Sequence, residues 1–546
     1  MTKYRSSPAA PRSILPVLVS LLLFMALPAC AQRAAAPDSR AGESASAEPV
    51  QQGFPIFAEE RIATILVDPG EDEGILRAVR NLQADLEART GARPLIATSL
   101  PNETEHLIIV GSLGKSRWLA PLTEQAAVSS EGLAGEWEAF MHEAVERPFD
   151  GVESALIVAG SDKRGTIYGV YDLAEQAGIS PWTWWADVPI EQTDTLFVPG
   201  ERRVEKPAVR YRGIFLNDEN PALYGWVNAT YGGFNHDFYE RVFELILRLK
   251  GNYLWPAMWG KAFYDDDPMN AALADEMGVV IGTSHHEPLG RAHIEWERYG
   301  EGAWNFASNP AVLTDFWRFG MERIAGREAI VTIGMRGDGD EAMTEGTAPE
   351  LLEGIVAAQR DIIAEVTGAP ASEQPQIWAL YKEVQDYYDQ GMSVPDDVTL
   401  LFADDNWGNI RRLPKLGEER PGGYGVYYHF DYVGGPRNYK WINTTQLERV
   451  REQMSVAYEY GADELWIVNV GDLKPMELPI DFFLDFAWDP SDWPLERMGD
   501  YTRQWAGEQF PDEHADEIAD LLDTYTKFNA RRKPELLDPD TYSLVN

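Results

Sequence analysis

"AIVTIGMRGDGD", residues 329 to 340, opens as an apolar, β-branched run and ends on Arg336, Asp338 and Asp340, with Glu341 next in line. The run has the character of a buried strand, and the glycines at 337 and 339 permit a tight bend, so the polar side chains converge at the strand's C-terminal end. Seven other stretches are built in the same way: "RGIFLND" (212 to 218), "NYLWPAM" (252 to 258), "VVIGTSHH" (279 to 286), "QIWALYKEV" (376 to 384), "TLLFADDN" (399 to 406), "GVYYHFDY" (425 to 432) and "ELWIVNVGD" (464 to 472). Amphipathic segments such as "DFYERVFELILRLKG" and "PELLEGIVAAQRDIIAEVTG" separate most of them. Eight strand-and-helix units over roughly 250 to 300 residues predict a (β/α)8 TIM barrel, the fold in which chemistry lies at the C-terminal strand ends. The eight polar endings are therefore expected to share one mouth.

Outward from this barrel, set at residues 206–490, the chain divides into four further segments. Residues 54–205 alternate strand and helix patterns ("IATILVD", "ILRAVRNLQADLEARTG", "HLIIVG", "SALIVAGSD"), which predicts an α/β domain smaller than the barrel. Its "VGSLGKS" is a turn and not a phosphate loop, because only two residues separate Gly111 from the Gly-Lys pair where four are needed. Residues 32–53 are rich in Ala, Ser, Glu and Pro without hydrophobic period, as expected of a flexible linker. Residues 1–31 read as a signal peptide: Lys3, Arg5 and Arg12 precede the apolar run "ILPVLVSLLLFMALP". The following "LPACAQ" fits two cleavage readings, an A-x-A site at Ala29 and Ala31 or a lipid anchor at Cys30. Either way the protein is expected to be exported, to the periplasm, the outer membrane or the medium of a bacterium. Cys30 is the only cysteine, so no disulfide forms within the chain. Residues 491–546 turn helical and stop in mid-pattern, which predicts an incomplete region and a chain that is a fragment or has a reduced final domain.

Acids outnumber bases 88 to 47, a net charge of −41, which repels phosphate backbones and anionic head groups over most of the surface. Nucleic acid is thereby excluded as a partner, and a negative ligand needs a locally basic pocket.

The strand-end residues are Asp218 and Glu219, Trp255 and Trp259, His285 and His286, Arg336 with Asp338 and Asp340, Glu383, Asp404 to Asn406, His429 with Tyr432, and Asn469 with Asp472. Carboxylates dominate, aromatic rings interleave with them, and no nucleophile elbow or Cys/His pair is present. Sugar chemistry needs this combination: rings stack on pyranose faces, one acid protonates the leaving oxygen, and a second carboxylate activates water or attacks. Each residue also has a plainer reading. A strand-end carboxylate can be a cap or an ion-pair partner, the tryptophans of "YLWPAMWG" can be core, and one of the paired histidines can be structural. "GDGDE" lacks the offsets of an EF-hand and "HEPLGRAH" those of a zinc protease.

The runs "RGIFLNDENPALYGWVNATYGGFNHDFYERVFELILRLKGNYLWPAMWGKAF", "GTSHHEPLGRA", "TIGMRGDGDEAM", "YKEVQDYYDQGM", "LFADDNWGN" and "HFDYVGGPRNYKWINTT" together resemble glycoside hydrolase family 115, the xylan α-1,2-glucuronidases. The resemblance extends from about residue 54 to the end. It implies a non-catalytic, hexosaminidase-like α/β domain before the barrel and inverting removal of glucuronic or 4-O-methylglucuronic acid from the xylose backbone of glucuronoxylan or its oligosaccharides. It implies no cofactor and no metal. The active-site positions it implies are Asp218, His285, Arg336, Asp340, Glu383, Asn406, His429, Tyr432 and Asn469. Members of that family continue into a further β-rich domain that can reach the active site across a dimer, so a homodimer is implied for a full-length form.

On these residues Glu383 is expected to be the general acid, kept protonated by burial and neighbouring carboxylates. Asp340, or alternatively Asp218, is expected to orient or deprotonate water, and an inverting pair stands about 6.5 to 9.5 Å apart to leave room for it. Arg336 is expected to meet the uronate carboxylate bidentately, while His285, Asn406, His429, Tyr432 and Asn469 bind substrate and Trp255 offers a ring. Two rival readings are a metal-dependent barrel hydrolase using His285, Asp338, Asp340 and Asp404, and a non-catalytic carbohydrate-binding protein of the cell envelope.

Overall fold

The computed structural model describes residues 53–102, 104–217, 220–344, 348–430 and 443–531. The segment expected to be a signal peptide, Cys30 and all of the expected linker but its last residue, together with Asp218, Glu219, Tyr432 and the last fifteen residues, lie outside the described residues. Among the described residues no helix is long and apolar enough to cross a membrane.

Eight parallel strands follow one another around a ring: Tyr211–Phe215, Tyr253–Trp255, Val280–Ile281, Val331–Thr332, Gln376–Leu380, Thr399–Ala403, Tyr424–His429 and Leu465–Asn469. The eighth returns to pair with the first, Phe215 opposite Asn469. Between the third and fourth the ladder narrows to a bridge from Ile281 to Ala329, with Ile330 N–H donating to Ile281 at 3.1 Å. The (β/α)8 barrel is thus closed, and all eight sequence runs supply its strands.

Side chains alternate along a strand, so every second residue points into the barrel. That row is apolar and aromatic: Tyr211 and Phe215, Tyr253 and Trp255, Ile377, Ala379 and Tyr381, Leu401 and Ala403, Tyr427, Leu465 and Ile467 form one buried cluster. The opposite row packs against the helices in a second cluster. Gly282 makes room inside: a Cβ there would lie 2.0 Å from the Tyr253 hydroxyl and 2.7 Å from the Trp255 indole nitrogen.

The preceding domain carries a six-stranded sheet in the spatial order Ile96–Ala97, Thr64–Val67, His106–Ser112, Ser154–Gly160, Phe140–Glu146 and Arg203–Glu205. Helices Glu73–Thr90 and Lys163–Gln176 lie side by side against it. Its junction with the barrel is polar, with Glu138, Arg212 and Asn252 fully buried. Glu138 accepts from Arg212 NH2 at 2.7 Å and from Asn252 Nδ2 at 2.9 Å, and it is also bonded to Arg164, which in turn grips Glu328 at 2.6 and 2.8 Å. Burial pushes the Glu138 carboxyl up, but Arg164 and Arg212 outweigh it and hold the group below its ordinary range. Beyond the eighth strand, helix Glu477–Trp488 packs on the first strand, and helices Met498–Gln509 and Asp512–Arg531 lie against each other.

A buried ion pair stripped of one partner leaves an uncompensated charge in low dielectric. Arg212→Met is therefore expected to destabilise the protein by about 3–5 kcal/mol in denaturant unfolding. Adding Glu138→Gln is expected to restore part of that loss; additive losses would contradict the assigned coupling.

Candidate active site

The inward row becomes polar where it reaches the C-terminal mouth. Two residues past Ala379 stands Tyr381, two past Tyr427 stands His429, and two past Ile467 stands Asn469. The rings form a floor: His285 lies 4.3 Å from Tyr381, His429 lies 4.3 Å from Tyr427, and Tyr381 stacks on His429 at 5.8 Å with planes 24° apart.

Above this floor sits Arg336, 3% exposed. Its Nε donates to Glu383 Oε1 at 2.9 Å and its NH2 to Oε2 at 2.8 Å, a bidentate fork. Its NH1 donates to the Asp340 carbonyl at 2.5 Å and is also bonded to Asp340 Oδ1. One guanidinium thus holds a carboxylate from the fourth strand end and one from the fifth. Asp340 folds back to meet it through left-handed backbone (φ 64°), and Lys382 (φ 49°) and Asn406 (φ 66°) share that conformation at the ends of the fifth and sixth strands. Non-glycine residues held this way concentrate at functional sites, where the surroundings enforce them.

Asp340 Oδ1 also meets His285 Nε2 at 2.9 Å and His286 Nδ1 at 3.4 Å, and Lys382 Nζ stands 3.8 Å from Oδ2. Burial, reinforced by Arg336, pushes the His285 pKa well below its ordinary value, and burial beside His285 does the same to His286. Both are neutral at pH 7 and present hydrogen-bonding nitrogens, not charge. On the far side Asp404, 1% exposed, receives His429 Nδ1 at 2.6 Å and the N–H groups of Asn406 at 3.2 Å and Gly408 at 3.0 Å, fixing the His429 ring. Asn469 accepts from Gly471 N–H at 3.0 Å and faces the Tyr427 hydroxyl at 3.5 Å.

The structure therefore brings together Arg336, Asp340, Glu383, His285, Asn406, His429 and Asn469. Asp218 and Tyr432 lie outside the described residues. Trp255 corrects the expectation of a platform: it is 0% exposed, donates to the Tyr253 hydroxyl at 2.7 Å and fills the barrel interior. The ring that reaches solvent is Trp259, 39% exposed and 5.8 Å from His286. The expected metal set does not converge. The Asp338 side chain is 70% exposed and paired with His293, and Asp404 is committed to His429. His285, His286 and Asp340 do place ligand atoms within 4.8 Å of one another. Yet the shared Asp340 oxygen already takes Arg336, whose charge opposes a dication.

Sequence reading passed over Tyr381 and Lys382. Counting in twos from Ile377 would have found Tyr381, whereas nothing in the sequence signals the left-handed turn that swings Lys382 toward Asp340.

Among the described residues, Asn217 Oδ1, His286 Nε2 and Asn406 Oδ1, buried at the first, third and sixth strand ends, have no hydrogen-bond partner. Unsatisfied buried polar groups are costly and call for an occupant. Paired carboxylates, a ring floor and unsatisfied donors and acceptors define a polyhydroxylated-ligand site of the glycoside-hydrolase type.

Comparison with known proteins gives the family. The profile of glycosyl hydrolase family 115 matches residues 204–536. A solved family 115 4-O-methyl-α-glucuronidase with specificity for decorated arabinogalactans is similar at 33% identity and a TM-score of 0.79, over 88% of this chain and 64% of that one. The chain belongs to glycoside hydrolase family 115, and it spans 64% of the length of that relative. A family 138 enzyme targeting pectin rhamnogalacturonan II (14% identity, TM-score 0.51, 86% and 56% covered) and a Streptomyces plicatus β-hexosaminidase (11%, 0.51, 86% and 93%) share the fold alone. No curated protein matches.

Glu287, beside the paired histidines, is pushed up to about 8 by burial, although His293 N–H donates to it at 2.8 Å. Its folded pKa exceeds the unfolded value of about 4.3, so between the two the native state binds more protons and this group's stabilisation is lost as pH rises. Glu287→Gln keeps the acceptor oxygen and removes the slope. The variant's melting temperature is expected to gain on the wild type between about pH 5 and about pH 8 and to hold level above that, and a constant difference throughout would refute the assignment.

Proposed function

We propose that this chain removes glucuronic acid or 4-O-methylglucuronic acid linked α-1,2 to xylose in glucuronoxylan, with inversion. The observation that carries the reading is the pair of carboxylates, Asp340 and Glu383, held on one buried guanidinium in a family 115 barrel. Glu383, whose side chain is 24% exposed, is the general acid, and it leaves the Arg336 fork to reach the glycosidic oxygen. Asp340 orients or deprotonates the attacking water, with His285 Nε2 fixing its Oδ1, and Asp218 is the alternative base.

Arg336 spends four of its five N–H groups on Asp340 and Glu383. One N–H remains for the uronate carboxylate, so the expected bidentate contact gives way to a shared one. Lys382, its side chain 38% exposed at the same mouth, supplies the second cation. The neutral histidines, Asn406 and Asn217 take sugar hydroxyls. An export signal over residues 1–31 suits a polymer too large to enter a cell.

The arabinogalactan specificity of the similar enzyme favours a second substrate for the same chemistry, a uronic acid capping an arabinogalactan side chain. Incubation with glucuronoxylan and with glucuronidated arabinogalactan is expected to release uronic acid from at least one, first as the β-anomer in proton NMR, and undiminished by a chelator. Glu383→Gln is expected to lower kcat by about 10²- to 10⁴-fold on the productive substrate. Release of the α-anomer would overturn inversion, and an active Glu383→Gln variant would overturn the acid.

A further inference from the structure

A cleft of about 620 Å³ opens beside the active site, between residues 183–187 of the N-terminal domain, the helix after the first barrel strand and the loop after the eighth. We propose that it binds neutral pyranose residues of the polysaccharide chain that flanks the excised uronic acid. The proposal deepens the function above and rests on it for the identity of the chain bound.

Its walls are indole rings. Trp184 and Trp226 are 42% and 40% exposed and lie 6.1 Å apart with planes 67° to each other. Trp185 backs them at 4.8 and 5.7 Å and is anchored by its Nε1 donating to the Arg241 carbonyl at 3.1 Å. The Arg241 guanidinium lies over the Trp184 ring at 5.2 Å and holds it from the side of a separate cavity. The exposed rings are therefore fixed before any ligand arrives, which lowers the ordering cost of binding. Rings meeting at a steep angle suit the two faces of a bent sugar chain, each C–H face stacking on an indole.

The rim is polar. Asp187 and Lys474 are exposed, and Asp472 closes the floor. Carboxylate and ammonium groups around an apolar centre pair with hydroxyls, the mixture a carbohydrate presents. A protein partner would bury a larger area, about 800 Å² on each side of a stable interface.

Position makes this cleft an extension of the active site. Asn469 stands in the active site and pairs with Phe215 of the first strand; Asp472 of the cleft follows three residues later. Ala222, also lining the cleft, starts the helix that follows the first strand end. A chain whose branch enters the mouth passes directly over these rings.

The test uses the full chain. Trp226→Ala and Trp184→Ala are expected to raise KM on the decorated polymer about tenfold, leaving kcat on the polymer and kcat/KM on a small aryl glucuronide unchanged, with Trp226→Tyr recovering most of the loss. Affinity electrophoresis in gels containing undecorated xylan or arabinogalactan separates the two claims: the chain is retarded in at least one and Trp226→Ala is not, even if no uronide is cleaved. Equal losses on the polymer and the aryl glucuronide, unaltered retardation, or a Trp226→Ala variant whose only change is from dimer to monomer in light scattering would each overturn the proposal. The last would assign the cleft to a second copy of the chain.

Discussion

The site turns on one buried cation. Arg336 is always charged, and leaving it at 3% exposure without partners would cost several kcal/mol. Glu383 and Asp340 remove that cost by taking four of its hydrogen bonds. The same bonds fix the two carboxylates relative to each other, because the guanidinium is planar and its donors are set in a rigid fork. In a chain of net charge −41, two carboxylates converging at one mouth repel, and the arginine is what allows them to stay. His285 and His286 complete the arrangement as neutral groups, His285 hydrogen-bonded to Asp340 and His286 standing 3.4 Å from it, without adding charge.

The frame behind the site is built to hold such positions. Closing eight strands into a ring turns a period of two in the sequence into concentric layers, so that apolar inward residues end in Tyr381, His429 and Asn469. The first strand is pinned from outside as well: Arg212, on it, reaches through the barrel wall to Glu138 of the N-terminal domain. The N-terminal domain thus anchors the strand that leads to Asn217 and to the Trp226 helix, and the carboxylates stand on strands four and five across the ring.

Much of this could be read from the residues. The eight apolar runs with polar endings predicted the barrel because strand period and spacing follow from local chemistry, and the polar endings converge because closure leaves them nowhere else to go. What escaped was direction. Trp255 and Trp259 are four residues apart and equally aromatic, yet one fills the barrel and the other faces solvent; the choice depends on Gly282, a neighbour in space, which leaves room for the Trp255 ring. In the sequence Arg336 reads as a ligand for the substrate alone, because its partner Glu383 is 47 residues away and only the fold brings the two together. Lys382 was invisible because its placement rests on a left-handed backbone turn that its side chain does not announce.

The claim that Arg336 and Glu383 act as one unit is tested most directly by a double-mutant cycle on uronic acid release, built from Arg336→Lys and Glu383→Gln. Lysine keeps the charge but cannot hold two carboxylates in a planar fork. The account predicts that Arg336→Lys alone lowers kcat by about 100-fold or more in a protein that still melts cooperatively, and that the double variant is little worse than Glu383→Gln alone. Full activity in Arg336→Lys, or losses that multiply, would contradict it.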